Sequence, residues 1–127
     1  GGGFEIYTPE IFGRFAPDPS NIKVAHSIYF SVLGEHGWIG LVLFLLVWLL
    51  ALRLSGRIAS IASVQPGAAW ARDLALMCQV SLVGYAVGGA FLSLAYFDLP
   101  YNLVVLLVAS RSLLQTQGQA APGKAGP

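Results

Sequence analysis

The stretch "GWIGLVLFLLVWLLAL", residues 37–52, runs for sixteen residues without a charged side chain and stops against Arg53. As a helix rising about 1.5 Å per residue, such a run covers roughly 24 Å of a hydrocarbon core about 30 Å thick. Trp38 suits the interfacial belt at one end, Arg53 can extend its charged head to water at the other, and the apolar segment 28–33 supplies extra length. Whole-chain composition points the same way. Of 127 residues, 56% are hydrophobic and 10% charged, against roughly a quarter charged in soluble domains. The apolar residues gather in long runs instead of recurring at amphipathic spacing, so the expected fold class is an all-α integral membrane protein.

Two further runs follow a basic connection. Residues 74–97 hold twenty-four residues without a charge, enough to span with some tilt. Gly84 and Gly88 in that run form a small-xxx-small pair that would let another helix approach. Residues 99–114 hold a shorter run, expected to be a thin, tilted span or a re-entrant helix. The expected order is an outer loop over 1–25, a lead-in and span over 26–54, a cytoplasmic loop over 55–73, a span over 74–97, the short helix over 99–114, and a disordered tail over 115–127. Arg53, Arg57 and Arg72 around the Pro66-Gly67 turn mark the middle connection as cytoplasmic, because Lys and Arg in short loops stay inside. The N-terminal loop and Asp98 then face out. A chain whose first residue is Gly1 and not Met, with no signal-peptide pattern before residue 27, reads as the C-terminal piece of a longer multispanning protein.

Several function classes lose support at once. A net charge of +1 provides no clustered basic surface for nucleic acid. Cys78 stands alone inside an apolar run and reads as a packed side chain, with neither a disulfide partner nor metal-ligand spacing. No GxSxG, HExxH or Walker-type glycine loop occurs, so neither a metal nor a nucleotide cofactor is expected.

What remains is a set of polar residues at the outer boundary of the first span, in "VAHSIYFSVLGEHGWIG", residues 24–40. An imidazole there can take up a proton or, once protonated, donate to an anionic oxygen, because its ordinary pKa of about 6.5 puts both forms within reach. On a helix beginning near Ala25, His26 would share a face with Tyr29, Phe30 and Leu33. The local pattern leaves two readings open: an interfacial histidine satisfied by water or backbone, and a catalytic one. Glu35 and His36 lie between Gly34 and Gly37, which predicts a kink there; Glu35 reads as a hydrogen-bond anchor or an acid-base group. "GGGFE" at the start reads as a flexible turn, with a phosphate-holding nest as the alternative. Arg14, Lys23 and Tyr7 are exposed loop residues, each able to touch an anionic ligand, and Arg14 is the candidate cation.

The segments "GGGFEIYTPEIFGRFAPDP" and "AHSIYFSVLGEHGWIGLVLFLL", in that order, resemble the C-terminal part of the O-antigen ligase and polymerase superfamily. The likeness is greatest to the O-glycosylation ligases associated with the exosortase A system, which carry a similar "AHSIYF" and "LGEHG" pair, and it covers most of residues 1–114. The resemblance implies a multispanning glycosyltransferase of the bacterial inner membrane. Its donor would be a glycan on undecaprenyl diphosphate, its acceptor a lipid or protein at the periplasmic face, and its energy the donor's own phosphate ester. The family's histidine maps to His26 as the catalytic residue, its glutamate to Glu35, and its glycines to Gly37 and Gly40. The family's Asn is Ser27 here, which keeps one hydroxyl but lacks the amide's second donor. Substrate contacts are expected from Ser27, Arg14 and Glu35, although the diphosphate-binding arginines of the family lie largely upstream, so the fragment alone is expected to be inactive. The alternatives are a polysaccharide polymerase of the same superfamily and, in another class, a non-enzymatic membrane transport component.

Overall fold

The computed structural model describes residues 1–3, 8–14, 26–92 and 96–120. Expectations resting on Tyr7, Phe4, Glu5, Lys23 and residues 121–127 lie outside that set. Among the described residues all regular structure is helical: α1 (Pro9–Phe12), α2 (Ile28–Val64), α3 (Ala69–Gly89) and α4 (Leu99–Ala120). α1 is a single turn with Pro9 at its first position, where the missing N–H costs nothing. α2 is long and apolar enough to cross a membrane, and it is the one described helix that combines both properties.

The helices run further than the charge-free stretches predict. α2 continues through Arg53 and Arg57 to Val64, so the expected loop over 55–73 shrinks to four residues, Gln65 to Ala68, with Gly67 at φ 78° making the turn. α3 starts at Ala69, includes Arg72 and Asp73, and ends at Gly89 instead of continuing to Phe97. α4 extends past Leu114 to Ala120, so the first six residues of the expected disordered tail are helical. Charges on a helix surface need not end a helix; they only end the part that lipid can surround.

Two compact units partition the chain: Gly1–Val47 with Tyr85–Phe97, and Trp48–Gly84 with Asp98–Pro127. The second is built on three stripes. Ala51, Ser55, Ile58 and Ala62 on α2 are buried, as are Ala71, Ala75, Cys78 and Leu82 on α3 and Leu103, Leu107, Ser110 and Leu114 on α4. Steps of three and four residues alternate in each stripe, the seam spacing of helices packed nearly parallel or antiparallel. Most positions on α2 and α3 carry small side chains, which let backbones approach closely. Ser55 Oγ donates to the Ala75 carbonyl at 2.8 Å, a polar tie inside that seam. Cys78 is buried and free, as expected of a packed side chain. The outer surfaces are apolar too, with Leu46, Leu49, Met77, Val80 and Val105 all exposed.

The first unit packs around Ile28 and Val32, with Tyr29, Leu41, Phe44 and Tyr85 against them. Gly89 makes the close approach: a Cβ there would lie 2.5 Å from Ile28 Cδ1. By contrast, a Cβ on Gly84 or Gly88 would meet nothing within 4 Å, so the expected small-xxx-small contact does not form among the described residues. At the end of α3 the backbone tightens, with Ala90 N–H bonding the Val87 carbonyl at 3.2 Å. That frees the Ala86 carbonyl, which accepts the Tyr29 hydroxyl at 2.8 Å.

Candidate functional site

The predicted kink is present. Gly37 sits at φ 70° and ψ −166° inside α2, a left-handed φ that only glycine adopts without strain. A break there orphans the carbonyls of the turn before it. Two of them are taken up by the start of the chain: Gly2 N–H donates to the Gly34 carbonyl at 2.8 Å and Gly3 N–H to that of Glu35 at 3.0 Å. A Cβ on Gly1 would collide with the Glu35 carbonyl, and one on Gly37 would lie 2.9 Å from the Gly1 nitrogen. The glycine run therefore serves a backbone approach to the kink, not the flexible turn expected. On the far side, a Cβ on Gly40 would collide with the Cβ of His36, so Gly40 lets the helix resume against that side chain.

Beside the break, three side chains form one polar group. The buried Glu35 carboxylate accepts the Tyr96 hydroxyl through Oε2. His36 Nε2 lies 3.1 Å from the same hydroxyl oxygen. Which of the two atoms donates in that contact follows from the His36 tautomer. The two rings meet edge to face, 6.3 Å apart at 86°. Phe97 stacks on Tyr85 at 6.4 Å and 10°, which tethers the backbone next to Tyr96 to α3.

The residues expected to carry chemistry are distributed as follows. His26 is exposed, in a bend two residues before α2 begins, so it does not share the helical face with Tyr29, Phe30 and Leu33 that a start near Ala25 would give. Ser27 is buried next to it, and its carbonyl accepts both the backbone N–H and the hydroxyl of Ser31 at 3.0 Å, which sets the first turn of α2. Glu35 is held by Tyr96. Arg14 is exposed in the turn after α1, its N–H on the Ile11 carbonyl at 3.1 Å. The structure thus joins Glu35 with His36 and Tyr96, and joins neither His26 nor Arg14 to them by a hydrogen bond among the described residues. Tyr96 is the residue the sequence reading missed. It lay hidden in the charge-free stretch 74–97; the usable signal was an aromatic hydroxyl two residues before Asp98, at the end expected to return to the outer boundary. Among the described residues no three His, Cys, Asp or Glu side chains group closely enough to hold a metal ion. Compared with known family models, curated proteins and solved structures, the chain matches none.

Proposed function

We propose that this chain is the C-terminal part of a multispanning inner-membrane glycosyltransferase, resembling the O-antigen ligases, that moves a glycan from undecaprenyl diphosphate to an acceptor at the periplasmic face. The observation that carries the reading is the paired motif "AHSIYF" and "LGEHG" with a helix break at its second member, where Gly37 departs from helical geometry beside a buried, hydrogen-bonded Glu35. In this reading His26 takes the proton of the acceptor hydroxyl. The freed oxygen attacks the anomeric carbon, the bond from that carbon to the phosphate oxygen breaks, and undecaprenyl diphosphate leaves with the electron pair. Exposure of His26 suits a base that must meet an incoming acceptor. Its lead-in to α2 would sit at headgroup level, where the polyprenyl tail remains in hydrocarbon and the sugar remains wet.

Cations would stabilise the leaving diphosphate, with Arg14 as this chain's contribution and Ser27 as a weaker hydrogen-bonding contact. Glu35 acts through Tyr96 to hold the break, so its effect on substrate is one of position. The test compares His26→Ala with His36→Ala in the intact protein, scoring glycan transfer alongside the amount of protein in the membrane. Loss of a general base should lower transfer about 10²–10⁴-fold in the first variant, at unchanged membrane level, and much less in the second. Full transfer with His26→Ala defeats the assignment.

A further inference from the structure

Leu50, Arg53, Leu54 and Arg57 of α2 and Arg111 of α4 line a groove of about 300 Å³. Arg57 and Arg111 also line an adjoining pocket of about 170 Å³ with Ile58, Ser60 and Ile61. Arg53 and Arg57 stand four residues apart on one face of the helix, and Leu50 and Leu54 repeat that spacing about one turn earlier. Apolar and cationic side chains therefore alternate along the helix axis, with Leu50 at the end nearer the charge-free run. Like charges at this spacing repel, and Arg111 adds a third from the facing helix. All three side chains are exposed, and none pairs with a carboxylate among the described residues. Three guanidinium groups around one groove are stable neighbours when an anion lies between them.

We propose that this groove binds the headgroup of an anionic phospholipid, with the phosphate among Arg53, Arg57 and Arg111 and the acyl chains along Leu50 and Leu54. A free phosphate would use the guanidinium groups and leave the leucines idle; a lipid uses both kinds of side chain. The groove also begins where the charge-free run of α2 ends, the position at which basic side chains meet anionic headgroups. Arginine suits the task because its planar fork can offer two parallel hydrogen bonds to one phosphate. The inference rests on α2 crossing a bilayer and is independent of glycan transfer.

The experiment is native mass spectrometry of the intact protein titrated with cardiolipin, with phosphatidylcholine, and with cardiolipin in the presence of inorganic phosphate. Cardiolipin should bind more tightly than phosphatidylcholine, and its affinity should fall about fivefold per arginine changed to glutamine in Arg53→Gln, Arg57→Gln and Arg111→Gln. Arg72→Gln, on α3 and lining neither pocket, should leave affinity unchanged, and circular dichroism shows that each variant is folded. Equal affinity for the two lipids, an unaffected triple variant, or displacement of cardiolipin by inorganic phosphate overturns the site. Reconstitution into phosphatidylcholine nanodiscs separates the layers: insertion without anionic preference removes the lipid site alone, and failure to insert removes the membrane reading with it.

Discussion

Tyr96 turns two adjacent side chains, Glu35 and His36, into a single hydrogen-bonded group. Tyr96→Phe removes the shared hydroxyl while preserving the ring, so the buried carboxylate loses its donor and the variant should unfold about 1–3 kcal/mol more easily, read from thermal or denaturant melts in detergent. Glu35→Gln leaves an amide oxygen to accept the same proton and should cost less. Non-additivity of the two changes in a double-mutant cycle is the expected mark of direct coupling, and strict additivity would show that the contact carries no weight. A second residue-scale contrast separates two glycines on α3. Gly89→Ala drives a methyl against the fully buried Ile28 and should destabilise by about 1–3 kcal/mol. Gly84→Ala enters open space on a helix and should be neutral or stabilising by up to about 1 kcal/mol.

At the scale of the element, charge-free runs and packed faces carry different information. The run 37–52 located the most apolar part of α2, and the glycines around Glu35 and His36 located its break. Neither signal located the ends of the helices, because Arg53, Arg57, Arg72 and Asp73 sit on helix surfaces that the seam never touches. The ends follow instead from the alternating steps of three and four in Ala51, Ser55, Ile58 and Ala62 and their counterparts, a pattern masked by the apolar residues on every other face. For the same reason Gly84 and Gly88 looked like a contact by spacing, yet point away from the seam. The site was legible in part: Glu35 and His36 could be placed at a kink, but their link to Tyr96 joins residues about sixty positions apart and needed the fold. Seam position predicts tolerance better than hydrophobicity does. Ala75→Leu keeps the residue apolar but overfills a buried seam, with an expected loss of about 1–3 kcal/mol, whereas Met77→Leu, two residues on and exposed, should change stability by less than about 0.5 kcal/mol. Equal melts for the two variants would rule out the seam as the source of packing.

For the whole molecule, α2 is the described helix long and apolar enough to cross a membrane, and the proposed function requires it to cross in one direction. Trp38 and Ile39 are 74% and 78% exposed just after the break, an arrangement that water would penalise and that lipid or further helices of a multispanning protein would cover. Orientation rests on charge. Arg53, Arg57, Arg72 and Arg111 follow the apolar run of α2 in sequence, while the first twenty-five residues hold only Arg14 and Lys23 as basic side chains; in the proposed membrane arrangement the more basic side would be the one retained in the cytoplasm. Ser60 and Glu10 are exposed and lie in the two contrasting segments, and the native Cys78 is buried, which keeps background labelling low. In intact cells a membrane-impermeant maleimide should therefore label Glu10→Cys directly and Ser60→Cys only after permeabilisation. The opposite pattern would put His26 on the cytoplasmic side, away from any acceptor presented at the periplasmic face, and glycan transfer by this chain would then have no geometric basis. It would also move Arg53, Arg57 and Arg111 to the outer leaflet while leaving their groove intact, so the cardiolipin titration would still read the anionic-lipid site on its own terms.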